Sequence, residues 1–193
     1  MRARDNPFAA DRVESIRYEL PEGHAGRLLA RLEGLRYRAA IVGPHGSGKT
    51  TLLEDLERPL VRLGFRVTYL RLDAAHRRFD PGCLSRLAAT LDAQDLVCLD
   101  GAEQLGRAAW LVFRWRTRRA GGVLITSHRP GLFPTLIECT TSPELLDRIV
   151  RRLATPTGDV RTPADLFARH HGNLREALRE LYDVYAGTLP PRT

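Results

Sequence analysis

Lysine is almost missing from this chain of 193 residues. Lys49 is the only one, and the other 29 basic residues are arginine. A guanine-reading N-K-x-D motif is therefore excluded, because the one lysine already sits in Gly48-Lys49-Thr50. Cysteine is scarce: Cys83, Cys98 and Cys139 are odd in number and show no C-x-x-C spacing. A disulfide framework or a zinc site is not expected, and Cys98 and Cys139, in apolar runs, read as small core residues. No apolar run approaches the roughly 18 residues of a membrane span. The first eight residues contain no apolar stretch of the signal-peptide type, so a cytoplasmic location is expected. Internal repeats and low-complexity tracts are absent as well.

What is present is ordinary for a globular chain. Hydrophobic residues make up 43% and charged residues 27%, which argues against disorder. The net charge is +7, and a basic surface calls for an anionic partner such as a nucleotide, nucleic acid or membrane headgroups. The length suits one domain with a small appendage.

Apolar periodicity divides the chain. Leu28, Leu29, Leu32 and Leu35 mark a helix over 24–35, and Leu52, Leu53, Leu56, Leu60 and Leu63 another over 49–63, with Pro59 as a kink or stop and Gly64 as C-cap. Further helices are predicted over 84–92 and 103–119. Short apolar runs at 39–42, 65–73, 96–100, 123–127 and 136–139 read as strands. Strands alternating with helices predict βαβ units, hence an α/β fold with a parallel sheet covered on both faces in three layers. After residue 141 the pattern is wholly helical. Ser142-Pro143 and Thr162-Pro163 are N-cap–proline starts, and Gly172-Asn173 opens a last helix. Residues 155–162 are the one candidate linker. The expected organisation is a nucleotide-binding core with an N-terminal extension over 1–140 and a small helical lid over 141–193.

Gly43-Pro44-His45-Gly46-Ser47-Gly48-Lys49-Thr50 fits G-x-x-x-x-G-K-[ST] without a mismatch, between a strand and a helix. Glycines let backbone N–H groups wrap polyphosphate oxygens. Lys49 can reach the β- and γ-phosphates, Thr50 can offer its hydroxyl to Mg²⁺, and Thr51 can reach the α-phosphate. Asp100 closes an apolar strand about fifty residues on; a carboxylate there can face Thr50 across the metal's water shell. Hydrolysis also needs a group to orient the attacking water. Glu103 is the nearest carboxylate, read equally as that base or as an acid favoured at a helix N-terminus. Ser127 or Thr126, ending the next strand, can position the water, or can cap the following turn. His128 reads as a γ-phosphate contact or as a loop residue without a role. Arg175, in the first turn of the last helix, runs against the dipole preference and is a candidate for reaching an anion, beside the plainer reading of a solvated arginine. Arg107, Arg114 and Arg118 fall at i, i+7 and i+11 of the helix after Asp100, with Trp110 and Trp115 interleaved. That face can supply an arginine to a neighbour's nucleotide, grip a nucleic-acid backbone, or be solvated surface.

Together these motifs resemble the AAA+ ATPases, and most closely the small bacterial branch that includes secretion- and transposition-associated ATPases. The likeness rests on the Asn6-Pro7-Phe8 box, the Gly43–Thr50 loop, the Asp100–Leu105 segment, Thr126-Ser127-His128 at the sensor 1 position, and Gly172-Asn173-Leu174-Arg175 at sensor 2. The resemblance implies a five-stranded parallel sheet in the order 5-1-4-3-2 with a helical lid. It also implies ATP and Mg²⁺ as ligands, and an ATPase that drives a conformational or assembly switch. Partners would be ATP and ADP, further copies of the chain, and DNA or protein. Gly101 stands where the family carries its catalytic Glu, so slow hydrolysis is expected. A P-loop nucleotide or small-molecule kinase is the second reading, and a non-catalytic ATP-dependent adaptor for DNA or protein the third.

Overall fold

The computed structural model describes residues 6–18, 24–154 and 162–187. The expected linker lies outside them, apart from Thr162. The chain divides into two compact units: residues 18–43 with 49–139, and residues 1–17, 44–48 and 140–193.

The first unit is built on five parallel strands: β1 (Arg38–Val42), β2 (Arg66–Arg71), β3 (Asp95–Asp100), β4 (Gly122–Ser127) and β5 (Thr135–Glu138). Their order is β2-β3-β4-β1-β5, which is the expected 5-1-4-3-2 read from the other edge. Strands buried on both sides must be apolar throughout, and β4 is buried along its whole length. β2, at the edge, has no fully buried position and mixes exposed with half-buried ones.

Alternate residues supply two cores. Ala39, Ile41, Leu96, Cys98 and Leu124 face one side, against Leu28 and Leu32 of α2 (His24–Gly34), Leu52 and Leu53 of α3 (Lys49–Asp55), and Leu60 of α4 (Glu57–Arg62). Ala40, Val42, Val97, Leu99, Val123 and Ile125 face the other, against Trp110 and Phe113 of α6 (Arg107–Arg116). Between α2 and β1 in the chain no further element intervenes, whereas α5 (Cys83–Thr90) precedes β3. The helix expected over 49–63 is broken at Leu56, between α3 and α4. Pro59 has no N–H to give the carbonyl of Asp55, four residues back, so the break falls there. Cys98 and Cys139 are buried, as expected, and burial pushes the Cys98 thiol up to about 12.

The helix expected over 103–119 is shorter at both ends. Gly101 is left-handed (φ 84°), residues Ala102–Gln104 form one 3-10 turn, and Gly106 is extended. At the other end the Thr117 hydroxyl donates to the Phe113 carbonyl and Arg38 donates to the carbonyls of Thr117, Arg118 and Ala120. Arg118 therefore lies in a turn, and the i, i+7, i+11 face does not form. Trp110 is buried and Trp115 is exposed.

The second unit is helical: α1 (Ala10–Glu14), α7 (Pro143–Leu153), α8 (Pro163–Arg169) and α9 (Leu174–Ala186). The expected starts are made as side-chain caps, with Ser142, Thr162 and Asn173 accepting from the N–H groups of Leu145, Asp165 and Glu176. Leu146, Leu166, Ala177, Leu178 and Leu181 form its core, joined by Phe8. The Asn6 amide donates to the Tyr182 carbonyl at 2.8 Å and Phe8 meets Tyr185 edge-on at 5.1 Å. The Asn6-Pro7-Phe8 box thus fastens the N-terminal segment to α9.

At the start of β3, Asp95 accepts from the Arg66 guanidinium of β2 at 2.8 Å, and this hydrogen bond holds the Asp95 carboxyl below the usual carboxylate range. A carboxyl whose folded pKa is depressed adds stability above its unfolded pKa, and that stability is lost as pH falls through the lower folded value. Arg66→Ala is expected to lower the urea midpoint at neutral pH. The difference from the wild type should shrink progressively in the acid range. A deficit that is unchanged by acid would mean that Arg66 acts through packing alone.

Candidate functional site

The carboxyl ends of β1, β3 and β4 end level, because the ladder pairs Val42 with Ser127 and Leu99 with Ile125. Ligands of open α/β sheets sit beyond these ends. Each expected site residue of the sheet unit lies there or on the following turn.

Asp100 ends β3 and is held from three sides. The Thr50 hydroxyl of α3 donates to Oδ2 at 3.0 Å, the Thr126 hydroxyl of β4 donates to Oδ1 at 2.6 Å, and Arg71 Nε of β2 is 3.3 Å from Oδ2. Thr126 also accepts from the Gly101 N–H at 2.9 Å. The strand-end hydroxyl that faces Asp100 is therefore that of Thr126. Ser127 turns its hydroxyl to the Arg129 carbonyl at 2.9 Å, the turn-capping alternative read from the sequence. Arg71 is a member of this group that the sequence pattern does not point to. An arginine closing an edge strand carries no mark in the sequence, and only the β2–β3 register sets it opposite Asp100.

Lys49 is buried, at 8% exposure, and its ammonium donates to the Gly43 carbonyl at 2.8 Å. His128 joins it: Nδ1 lies 3.4 Å from Lys49 Nζ and 3.3 Å from the Gly43 carbonyl, and Nε2 lies 2.8 Å from Glu103 Oε1. Glu103 Oε2 is buried and has no hydrogen-bond partner among the described residues. Glu103 thus stands in the 3-10 turn rather than in the first turn of an α-helix, and reaches the phosphate-loop lysine through one imidazole. A buried carboxylate oxygen left unpaired costs free energy unless something else meets it.

Gly101 itself cannot carry a side chain. At φ 84° it is in the region that L-residues avoid, and a Cβ there would collide with the Leu72 carbonyl oxygen. A side chain at this position would require the backbone to shift, and the next carboxylate along the chain is Glu103.

The loop segment 44–48 falls in the helical unit. Gly46 (φ 70°) and Gly48 (φ 81°) turn its backbone, and the Ser47 hydroxyl donates to the Pro44 carbonyl at 2.9 Å. Among the described residues, the N–H groups of Gly46, Ser47 and Gly48 meet no acceptor. Three amides without acceptors on one turn suit an anion. A Cβ on Gly46 would collide with Asn173 Oδ1 and lie 3.0 Å from the Arg175 amide nitrogen, so the loop runs close past the start of α9. Arg175 is exposed at that helix start. Pro44 and His45 are exposed, and Thr51 is half-buried on α3.

The donor set fits the ligands that the motif implies. Thr50 and Asp100 present hard oxygens side by side, as Mg²⁺ requires, and Lys49 presents a positive group suited to phosphate. Among the described residues no cluster of His, Cys, Asp and Glu has the makings of a separate metal site. No helix among them is long and apolar enough to cross a membrane.

The parallel sheet, its strand order and the glycine-rich turn after β1 define the fold of the P-loop NTPases. Solved structures with this arrangement include two variants of RuvB from Thermotoga maritima. Both cover 86% of this chain, with TM-scores of 0.58 and 0.55 at 17% and 18% identity. At that identity the likeness is one of fold. No family model matches the chain. A curated relative, GPN-loop GTPase 2 of Danio rerio, is 33% identical over 79 residues, which is 41% of this chain. The chain spans 24% of that relative, and 63% and 62% of the two RuvB chains.

Gly101→Ala is expected to destabilise the protein by about 1–3 kcal/mol, the usual cost of a non-glycine residue forced into such a conformation, plus the collision with Leu72. Denaturant unfolding measures it. A loss below about 0.5 kcal/mol, the scale of an ordinary surface substitution, would show that the turn relaxes and that position 101 can accept a side chain.

Proposed function

We propose that this chain is an ATP-binding P-loop NTPase of the AAA+ type, which hydrolyses ATP slowly with Mg²⁺ and uses the cycle as a conformational or assembly switch. The observation that carries the reading is the loop between β1 and α3, where three amides without acceptors precede a buried lysine whose ammonium rests on the loop's own first carbonyl. The structural likeness to RuvB, an AAA+ P-loop ATPase, supports it at the level of fold. ATP rather than GTP is favoured because the chain has no N-K-x-D motif; the zebrafish relative's name makes GTP the comparison to run.

On this reading the loop amides and Lys49 bind the β- and γ-phosphates, with Lys49 exchanging the Gly43 carbonyl for phosphate oxygen. Thr50 and Asp100 would hold Mg²⁺, which when bound neutralises phosphate charge. Thr126 and Arg71 keep the Asp100 carboxylate oriented. Glu103 orients the attacking water and takes its proton, with His128 holding one carboxylate oxygen and leaving the other to the water. Because Glu103 sits two residues beyond the position that the resemblance assigns to the base, turnover is slow. Residues 141–193 act as a lid, and Arg175 reads the γ-phosphate from it.

Two measurements test this. In calorimetry with a non-hydrolysable ATP analogue, Lys49→Ala is expected to lose about 1.5–3 kcal/mol of binding, the scale of a hydrogen bond to a charged group. Affinity equal to the wild type's, or tighter binding of the GTP analogue, overturns the assignment to ATP at this loop. In a phosphate-release assay without any acceptor, Glu103→Gln is expected to depress kcat at unchanged nucleotide affinity. A variant at full rate would remove Glu103 from the mechanism, and release only in the presence of an added acceptor would favour a kinase.

A further inference from the structure

Between Glu103 and Glu138 the chain contains no aspartate or glutamate and six arginines: Arg107, Arg114, Arg116, Arg118, Arg119 and Arg129. None of the six has an acidic partner among the described residues. Elsewhere in the chain arginines pair readily, as Arg66 does with Asp92 and Asp95, Arg151 with Asp147 and Arg169 with Glu180. An arginine-rich composition alone does not produce such a segregation. The helix dipole accounts for arginines in the last turn of α6, but not for Arg107 in its first turn.

The centre of the same surface is apolar. α6 anchors itself through Trp110 and Phe113, and its opposite face carries Ala108, Leu111, Val112 and Trp115. These four stand at i, i+3, i+4 and i+7, the spacing of a seam between two helices. Leu111 is 62% exposed, Val112 49% and Trp115 55%. Arg107 and Arg114, one heptad apart, border the stripe on one side. On the other, Arg116 and Arg118 lie over the Trp115 ring at 4.9 and 4.4 Å. An aromatic and aliphatic centre inside an arginine rim has the composition of a protein interface, in which tryptophan and arginine are enriched.

We propose that the outer face of α6 is a docking seam for an amphipathic helix of a partner protein, one that carries acidic residues on both flanks of its apolar stripe. Charge complementarity sets this choice. Flanking charges decide which helices pair. A second copy of α6 would bring arginine against arginine. A nucleic-acid backbone would answer the arginines and leave Leu111 and Val112 in water. A seam of three large side chains makes a weak, salt-sensitive contact, suited to a switch that engages its partner transiently. This inference stands apart from the nucleotide chemistry, since no residue of the phosphate site belongs to it.

The test uses the full chain and two synthetic lactam-bridged helical peptides. Both carry Leu at i, i+3, i+4 and i+7; one has Glu and the other Lys at the flanking positions. Fluorescence anisotropy is expected to show the Glu peptide bound about tenfold or more tightly at low salt, with the preference shrinking as salt is added. Arg107→Glu with Arg114→Glu should reverse the preference toward the Lys peptide. Trp115→Ala should weaken the Glu peptide about tenfold or more, as loss of an interface anchor does. All three positions are exposed, so the fold should survive, and circular dichroism checks that it does. Binding of neither peptide, or equal binding of both, overturns the proposal. So does tighter binding of a short oligonucleotide or of phosphatidylglycerol vesicles that the double charge reversal abolishes, which would assign the face to phosphate. Self-association that Trp115→Ala removes would assign it to a second copy.

Discussion

The carboxylate of Asp100 is where separate elements of the sheet unit are tied together. Its two oxygens accept from Thr50 of α3 and Thr126 of β4, and Arg71 of β2 stands against one of them. Three elements therefore meet one side chain. This is possible because the strands are parallel and in register, so their carboxyl ends finish together. An antiparallel neighbour would have carried its last residue to the other edge. Charge-assisted hydrogen bonds in a partly buried setting are stronger than neutral ones. The same contacts that close the sheet's end also fix the direction in which the carboxylate points.

The turn after Asp100 follows from that closure. The Gly101 N–H donates to Thr126, and its left-handed backbone passes beneath the Leu72 carbonyl, leaving no room for a Cβ. The chain then makes one 3-10 turn before α6 begins, and that turn carries Glu103 to His128. A tight packing requirement at one residue thus displaces the acid along the chain. His128 is placed by β4, Gly43 by β1 and Glu103 by the turn after β3. The imidazole joins all three because β4 lies between β1 and β3 in the sheet. Glu103 Oε2, at the end of this chain of contacts, is buried and meets no donor among the described residues.

α6 shows the opposite allocation. Its inner side chains satisfy the sheet, and its outer side gathers the apolar residues and unpaired arginines that the core does not use. Trp110 and Trp115 are chemically alike and five positions apart. One stacks on Phe113 at 5.6 Å inside the unit, and the other lies outside beneath two guanidiniums. The segment that carries these arginines contains no aspartate or glutamate.

Much of this was legible in the residues themselves. The glycine-rich loop, the sole lysine and the strand-ending Asp100 are local patterns, and local geometry suffices to identify them. The N-caps at Ser142, Thr162 and Asn173 form within a few residues of chain, and so did the break that Pro59 imposes. Alternating strands and helices prescribed a covered parallel sheet, because an apolar strand must be buried on both faces. What the sequence could not decide depended on residues far apart. Whether Thr126 or Ser127 faces Asp100 rests on strand register, since adjacent side chains in a strand point to opposite faces. Arg71 joined the site through the pairing of β2 with β3, and Asn6 met α9 across 176 positions of chain. The start of α6 depends on Gly101 passing under Leu72, a contact between separate strands' ends, and its finish on Arg38 of β1. Hydrophobic periodicity reports which face of an element is buried. Only the packed structure decides which polar groups then meet, because that choice is made by hydrogen bonds between elements and not within them.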